Sequence, residues 1–388
     1  MSLPLPLLTE ETAAVLLGDL WDRHHRSIPD PEGRAPTLLL SLPPAWGNRY
    51  QVLLYGRAAH HNTVVAGVRH PQDLAHVSWP GPVLLHAHWF ASIFTSALSE
   101  ADARARLDRT IAQIEAFATR TGARLLWTAH NLFPHDGAFP DTYLALRRWV
   151  FDRFDLLHVM DADHVPLLEQ TYDRPAPPWF CVPHMTYHGA VPDSIDRLAA
   201  RQQLGLPRDA FVFGAFGSLQ GYKNTDRLME SFSALAATCP ESSVALLAGG
   251  LPADREVARA LARDAAAHPQ ITLLPRLIED SEIQMMHRAC DVMMLPYRGT
   301  LNSGAALMAA TFGRPFVMPQ GPGAAAMVPL GGRLYDPEAA DGLHRVMAEC
   351  LQDGPALAGP DRDALAARAP HEVSEAFFAA LFGRGTPG

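Results

Sequence analysis

The stretch FVFGAFGSLQGYKNTDRL, residues 211–228, joins an apolar strand to a helix through a turn that contains glycines. Gly217 and Gly221 allow the backbone to approach a ligand closely, and the helix is predicted to begin near Asn224. A helix N-terminus after a buried strand presents backbone N–H groups that bind anions, and Lys223 adds a positive charge there. The stretch therefore predicts a Rossmann-like unit with a diphosphate site. A tight turn with a solvated lysine is the alternative.

The same alternation of strand and helix extends along nearly the whole chain, which is typical of parallel sheets covered on both faces. The predicted strands are 37–42, 63–68, 83–90, RLLWTAHN, FDLLHVM and FCVPHM in a first series, then 211–217, SVALLAGG, ITLLPR, DVMMLPY and PFVMP in a second. We therefore expect an α/β fold with two sheets.

A length of 388 residues suits two α/β domains better than one hydrophobic core. We predict a Rossmann-like domain over 1–190, a hinge over 191–207 and a second Rossmann-like domain over 208–360. Residues 361–388 are predicted to return to the first domain through a helix at 371–382.

Composition excludes several classes of protein. The net charge of -9 and the lack of a basic stripe argue against a nucleic-acid partner. The sequence has no signal peptide and no apolar run of about 20 residues, so we expect a cytoplasmic protein. Its four cysteines are widely spaced, which predicts unpaired thiols and no structural zinc.

A second strand-to-helix turn lies in YRGTLNSGAALMAATFG, residues 297–313. Asn302, Ser303 and Gly304 are predicted at the helix N-terminus, where they could bind a phosphate or a sugar. Tyr297 and Arg298 precede them, and Arg298 could bind the same diphosphate. The alternative is that Asn302 or Ser303 only caps the helix.

A third strand end, at Arg276, could hold a nucleobase. Backbone groups there could read the base edge while Leu277 or Ile278 covers its face. The acidic residues that follow, Glu279, Asp280 and Glu282, are interpreted as first-turn acids that complement a helix dipole.

The motifs HAHWF, WTAHNLFPHD, VPHMTYHG, FGSLQGYKN and ACDVMMLPYRGTLNSGAALMAATFGRPFVMP together resemble the GT-B glycosyltransferases of the glycosyltransferase-4-like superfamily. The likeness covers almost the whole chain and is strongest to bacterial exopolysaccharide and capsule transferases, including a subgroup with β-mannosyltransferases. It implies two facing domains with a cleft, donor binding by the C-terminal domain and no obligatory metal or other cofactor.

Several site residues follow from this resemblance. Lys223 matches the family's phosphate-binding lysine, and Gly47 and Asn48 would approach the diphosphate from the first domain. Ser218, next to Gly217, stands where many members have an arginine, so one phosphate contact is either missing or supplied from elsewhere, for example by Arg298.

The resemblance breaks down at a pair of glutamates that many retaining members carry around the donor sugar. Thr300 and Met308 occupy those positions. Neither side chain replaces a carboxylate, so the departure favours inversion of the sugar's configuration. Inversion requires a general base in the N-terminal domain.

Four side chains are candidates for that base: His86, His88, His130 and Asp136. We favour His88, because it lies nearest the carboxyl end of its strand and matches a family histidine near the donor phosphates. His130 ends the next strand and is expected beside it. A strand histidine held by the neighbouring backbone is the alternative.

The group Asp161, Asp163 and His164 looks like a metal site, but Asp163 is interpreted as a helix N-cap and no metal is predicted. Aromatic residues of the first domain could touch a lipid-linked acceptor or belong to the core: Trp89, Phe90, Phe133 and Phe139. Any membrane contact would be weak and peripheral, at the cytoplasmic face of the inner membrane.

Together these features predict transfer of a hexose from GDP-mannose or a UDP-sugar to a saccharide, such as a lipid-linked exopolysaccharide intermediate. A sugar-nucleotide hydrolase or epimerase on the same fold is one alternative. A non-catalytic nucleotide-sugar-binding partner is another.

Overall fold

A computed structural model describes residues 5–27, 33–44, 48–90, 93–94, 96–133, 138–240, 242–298 and 301–383. Its contacts divide the chain into two units. Unit 1 contains Met1–Met185 and Pro370–Gly388, and unit 2 contains Thr186–Ala369. Each unit is built on one parallel sheet, so the predicted α/β fold is confirmed.

Within the described residues, the sheet of unit 1 has seven strands in the order β1-β3-β2-β4-β5-β6-β7, with every neighbouring pair parallel. The strands are β1 Leu7–Leu8, β2 Thr37–Leu42, β3 Thr63–Val68, β4 Val83–Ala87, β5 Arg124–Thr128, β6 Leu156–Val159 and β7 Trp179–Cys181. The helices are α1 Ala13–Ser27, α2 Arg49–Leu54, α3 Glu100–Thr121, α4 Pro140–Arg153, α5 His164–Tyr172 and α13 Pro370–Leu381.

Helix α13 completes the core of unit 1. Its Val373, Phe377 and Phe378 are buried with Leu39 and Leu126 of the sheet. The Ser374 hydroxyl donates to the Leu54 carbonyl at 2.7 Å and accepts from the Arg57 N–H at 2.9 Å. Apolar burial and paired polar groups therefore both hold this helix against α2.

In unit 2, the part of the chain that the structure describes forms six parallel strands in the order β10-β9-β8-β11-β12-β13. They are β8 Phe211–Phe216, β9 Val244–Gly249, β10 Ile271–Leu274, β11 Val292–Met294, β12 Phe316–Pro319 and β13 Gly332–Tyr335. The helices are α6 Arg197–Gln203, α7 Thr225–Ala236, α8 Arg255–Ala266, α9 Ile283–Ala289, α10 Gly304–Thr311, α11 Gly342–Asp353 and α12 Arg362–Ala367.

The strand order fixes where each sheet can bind a ligand. In unit 2, β8 lies between β9 and β11, so the chain leaves β8 in one direction and later returns on its other side. Loops diverge at such a point and leave a crevice at the carboxyl ends of the strands. The same reversal places β2 between β3 and β4 in unit 1.

The unit boundaries differ from the ranges expected from the sequence. Residues 186–190, the expected hinge 191–207 and residues 361–369 all lie in unit 2. The expected hinge is held to unit 2 by α6, because the Arg201 guanidinium donates to Asp291 at 2.8 Å and to the Ala289 carbonyl at 2.9 Å. Strand β10 also ends at Leu274, two residues before the expected Arg276.

Candidate active site

The turn after β8 packs directly on the turn after β9. The Gly217 N–H donates to the Gly249 carbonyl at 3.1 Å, and the Leu219 N–H donates to the Leu251 carbonyl at 2.8 Å. A Cβ added at Gly250 would lie 1.6 Å from the Gly217 carbonyl oxygen. Gly217 itself has a φ of 120°, which favours glycine. Gly250 was not among the residues predicted from the sequence, although the Gly-Gly pair at the end of β9 is a signal for such an approach.

Lys223 lies in the crevice between the ends of β8 and β11. Its ammonium nitrogen is 3.8 Å from the ring centroid of Tyr297 and 3.7 Å from the position of a Cβ on Gly217. Burial lowers its pKa, and among the residues the structure describes no carboxylate offsets this effect. Lys223 is also the only lysine in the chain. The crevice therefore holds a cation whose counter-charge is missing from the described residues.

Asn224 joins the two loops that flank this crevice. Its side-chain amide donates to the Pro296 carbonyl at 2.8 Å, and the Arg298 guanidinium donates to its carbonyl oxygen at 2.5 Å. The Arg298 N–H also donates to the Tyr222 carbonyl at 2.8 Å. Asn224 has a φ of 51°, a conformation that asparagine tolerates better than most residues. From the sequence, Asn224 was predicted only to lie near the start of a helix.

Helix α10 begins beside this crevice with a side-chain cap. The Ser303 hydroxyl, which is buried, accepts a hydrogen bond from the Ala306 N–H at 3.2 Å. Asn302 is half-buried before it and Gly304 is the first helical residue. Ser303 is thus an N-cap, which is the role that the sequence offered as the alternative to ligand binding. The predicted residue Thr300 lies outside the described residues.

The side chain of Arg276, predicted at a nucleobase site, is paired with a carboxylate. Its guanidinium makes two bonds of 2.7 Å to the Glu282 carboxylate, and this pairing lowers the pKa of Glu282 to about 2. Glu282 therefore pairs with an arginine, whereas the sequence predicted only a first-turn acid that complements the helix dipole. Ile278 is buried against Gly249, and Leu277 is 60% exposed. Of the two residues predicted to cover a base, only Leu277 presents its side chain to solvent.

The polar centre of unit 1 is a line of buried side chains, here named the histidine chain. It runs from the Val182 carbonyl through His158, Thr128, His86, Tyr55 and His88 to His130. The side chains come from β4, β5, β6, the loops after β4 and β5, and the residue after α2. The structure therefore brings the predicted residues His88 and His130 together, with His86 in the same line.

Both ring nitrogens of His88 are occupied within the histidine chain. Nε2 lies 2.6 Å from the Tyr55 hydroxyl and Nδ1 lies 3.0 Å from His130 Nε2. His88 is 1% exposed and His130 is 8% exposed. Burial is the main cause that lowers the pKa of both imidazoles well below the ordinary value, so both are neutral at pH 7.

Aromatic rings enclose the outer end of the histidine chain. Trp89 stacks on His130 with ring centroids 4.0 Å apart, and Tyr50 meets the same ring edge-on at 5.1 Å. Phe90 is 2% exposed and belongs to the core, whereas Phe133 is 37% exposed. Of the two roles predicted for these aromatic residues, Phe90 therefore has the core role and does not contact a lipid.

Two other residues predicted in unit 1, Asn48 and Asp163, lie at the starts of helices. Asn48 caps α2, since its side chain accepts from the Tyr50 N–H at 2.9 Å. Asp163 precedes α5 but its side chain makes no capping bond, and Asp161 instead accepts from the Asp163 N–H at 2.9 Å. Asp163 therefore occupies the predicted N-cap position of α5 without a capping bond from its side chain. The predicted residues Gly47 and Asp136 lie outside the described residues.

In the described ranges, no helix is both long and apolar enough to cross a lipid bilayer. No group of three or more histidine, cysteine, aspartate or glutamate side chains in them could hold a metal ion. The described residues contain no disulfide bond.

The crevice around Lys223 lies in a segment that known proteins share. Residues 210–353 match the family model of glycosyl transferases group 1. The chain is also similar to two D-inositol 3-phosphate glycosyltransferases. The protein from Stackebrandtia nassauensis is 35% identical over 130 residues, which cover 31% of this chain and 29% of that protein. The protein from Rhodococcus jostii is 26% identical over 251 residues, which cover 63% of this chain and 47% of that protein. The chain thus spans less than half the length of either relative.

Solved structures resemble the chain over both units. HepE of Anabaena in complex with UDP has a TM-score of 0.65 at 14% identity, covering 90% of this chain and 100% of that chain. Sucrose-phosphate synthase from Thermosynechococcus elongatus has a TM-score of 0.63 at 17% identity, covering 90% and 98%. At these identities the similarity shows the fold, and it confirms the predicted GT-B fold class.

Proposed function

We propose that the protein is a glycosyltransferase that moves a hexose from a nucleotide diphosphate sugar to a saccharide acceptor. The observation that carries this proposal is Lys223, a partly buried ammonium in the crevice after β8 and β11 with no carboxylate partner among the described residues. A donor diphosphate would supply the counter-charge. The match to glycosyl transferases group 1 over residues 210–353 supports the same conclusion.

The donor would be a UDP-sugar or GDP-mannose. The HepE structures with UDP and with UDP-glucose make UDP-sugars the first to test. Lys223 and Arg298 would stabilise the departing nucleotide diphosphate electrostatically, so we expect transfer without an obligatory divalent metal. The proposed acceptor is a lipid-linked saccharide at the cytoplasmic face of the membrane, as in exopolysaccharide assembly.

The proposed stereochemical outcome is inversion. Met308, at the position of a family glutamate, is buried within α10 and carries no charge. A donor sugar at this site would therefore lack the carboxylate that many retaining relatives place there. Inversion would need a general base that removes the proton of the acceptor hydroxyl. The neutral imidazoles of the histidine chain in unit 1 are the proposed candidates for that role.

A donor screen tests the proposal on the full chain. Thermal unfolding is measured with UDP-, GDP- and ADP-sugars, because a donor present at 100 times its Kd stabilises a protein by about 2.7 kcal/mol. We expect one nucleotide class to raise the Tm, and we expect the purified protein to transfer that sugar without added metal. If no nucleotide diphosphate sugar raises the Tm, the proposal fails.

Product analysis then separates the alternatives. Nucleotide and free sugar released without an acceptor would indicate a hydrolase, and a changed sugar configuration without transfer would indicate an epimerase. Donor binding without turnover on lipid-linked saccharides would indicate a non-catalytic partner. The anomeric configuration of a transferred sugar, determined by NMR, decides between inversion and retention.

A further inference from the structure

Lys223 is the only lysine in a sequence that contains 32 lysine and arginine residues in total. All the others are arginines, whose guanidinium groups stay protonated in proteins and therefore do not act as nucleophiles. The ε-amine of Lys223 is thus the one side-chain amine of the protein that can form a stable amide with an acyl group. Any such reaction on a side-chain amine falls in the crevice after β8 and β11.

The surroundings of Lys223 favour its neutral, nucleophilic form. Its nitrogen lies 3.8 Å from the ring centroid of Tyr297 and 5.2 Å from that of Tyr222. Burial lowers the pKa of Lys223, and a hydrogen bond with Tyr222 opposes this effect without cancelling it. An amine with a lowered pKa is unprotonated more often at neutral pH, and desolvation of this kind activates a lysine as a nucleophile.

The side chain of Lys223 remains within reach of small reagents. Lys223 is half-buried, as are Gly217 and Ser218 on the neighbouring turn. A Cβ on Gly217 would lie 3.7 Å from the Lys223 nitrogen, which is a van der Waals contact. Glycine at this position therefore keeps one side of the amine uncovered.

The charge of the crevice selects among acyl donors. Helix α7 begins two residues after Lys223 and contributes the positive end of its dipole whether or not the lysine is protonated. An acyl phosphate has its anionic phosphate bonded directly to the reacting carbonyl carbon, whereas the carbonyl of a thioester has no charged group beside it. Attraction of the phosphate therefore brings the reactive carbon of an acyl phosphate close to the amine.

We propose that Lys223 is an acylation site whose acyl donor is an acyl phosphate, the mixed anhydride of a carboxylic acid and phosphoric acid. The unprotonated nitrogen attacks the carbonyl carbon, and a C–N bond forms. The bond from that carbon to the phosphate oxygen breaks, and phosphate leaves with the electron pair and takes up the proton that the nitrogen loses. The products are an amide at Lys223 and inorganic phosphate, and nothing is oxidised or reduced.

Acylation removes the positive charge of Lys223 from the crevice. The contact with the Tyr297 ring then loses its cation–π part. If the crevice holds the donor diphosphate, the acylated protein lacks the same charge as Lys223→Met and should bind nucleotide roughly 30- to 140-fold more weakly. This consequence rests on the proposed function, whereas the acylation itself does not.

Competition within one chain tests the reactivity of Lys223. Arg263→Lys introduces an exposed lysine in the last turn of α8, and the full chain is treated with acetyl phosphate at about pH 7.5. Peptide mass spectrometry follows acetylation at both positions. Charged clefts concentrate oppositely charged reagents by roughly 10- to 1,000-fold, so we expect Lys223 to react at least about 10-fold faster than the introduced lysine. Equal or slower acetylation of Lys223 would overturn the proposal.

A second reagent isolates the role of the phosphate. The N-hydroxysuccinimide ester of acetic acid transfers the same acyl group but is uncharged, so the preference for Lys223 should be several-fold smaller with it. Inorganic phosphate should slow the reaction of Lys223 with acetyl phosphate more than that of the introduced lysine. An equal preference with both reagents would refute an acyl phosphate as the donor. If Arg263→Lys does not fold, the N-terminal amine of the wild type is the reference for the same comparison.

Nucleotides separate this inference from the proposed function. A nucleoside diphosphate should protect Lys223 from acetylation if the crevice holds the donor. Preferential acetylation of Lys223 that UDP, GDP and ADP all leave unchanged would contradict the donor site and support the acylation site. Nucleotide binding to a chain in which Lys223 is not preferentially acetylated would support the donor site and overturn the acylation site.

Discussion

Replacement of Lys223 by methionine removes one charge and keeps a side chain of similar length. In the folded protein, burial lowers the pKa of this lysine, so the unfolded chain binds the proton more tightly than the folded chain does. The charged lysine therefore costs stability in the absence of a donor. We expect Lys223→Met to unfold at the same temperature as the wild type or at a higher one.

Donor binding should change in the opposite direction. Two unit charges about 4 Å apart attract by about 4 kcal/mol at an effective dielectric constant of 20. The backbone amides of the turn remain in the variant, so we assign about 2 to 3 kcal/mol to the lost contact. This loss corresponds to a Kd roughly 30- to 140-fold weaker. Lys223→Arg should recover only part of the affinity, because a guanidinium is larger and flatter than an ammonium.

Isothermal titration with the nucleotide diphosphate that emerges from the donor screen measures this effect. Arg263→Met is the matched control, because Arg263 is exposed in the last turn of α8 and its loss changes the net charge by the same amount. The single lysine offers a second measurement: reductive ¹³C methylation labels it and the N-terminus, and its signal should shift when nucleotide binds. Equal Kd values for Lys223→Met and Arg263→Met would refute the role of Lys223.

Three further results are expected. Gly250→Ala should destabilise the protein by roughly 3 kcal/mol or more in urea unfolding, since its Cβ would meet a carbonyl oxygen at 1.6 Å. Gly321→Ala is the control and should be nearly neutral, because its Cβ would have nothing within 4 Å. Similar unfolding midpoints for the two variants would contradict the packing of the two turns. Ser374→Ala leaves buried partners of α13 unsatisfied and should cost about 2 kcal/mol, and a loss below about 0.5 kcal/mol would contradict that anchoring. Burial lowers the pKa of His158 to about 4 in the folded protein, so on acidification the imidazole of the unfolded chain protonates first. The free energy of unfolding should therefore fall by up to about 1.4 kcal/mol per pH unit between about pH 6.5 and 4. A flat pH profile in urea unfolding would show that this ring is not buried in its neutral form.

Local patterns predicted much of the fold. Strands β2 and β3 match the predicted ranges at both ends, since each is a short apolar run bounded by turn residues. Helix α3 begins and ends at residue types that sequence reasoning recognises, because Ser99 caps its start and Gly122, with a φ of 66°, ends it. Strand β1, by contrast, has only two residues and carries no periodic signal.

Contacts between distant residues could not be predicted in the same way. Tyr55, which lies between the rings of His86 and His88, had no sequence feature that separated it from an ordinary core tyrosine. His158 appeared as an ordinary strand residue because its contact to the Val182 carbonyl requires the pairing of β6 with β7. Alternation along one strand shows which residues share a face, but it does not show which groups on neighbouring strands meet.

The return of α13 to unit 1 has a consequence for the order in which the protein is made. Pro370–Leu381 supplies core residues to unit 1, and the ribosome synthesises this segment only after all of unit 2. Unit 2 can therefore close its own sheet while the apolar surface of unit 1 that α13 covers is still open. During synthesis, that surface is where we expect chaperones to act, and a ribosome stalled before codon 370 would expose it.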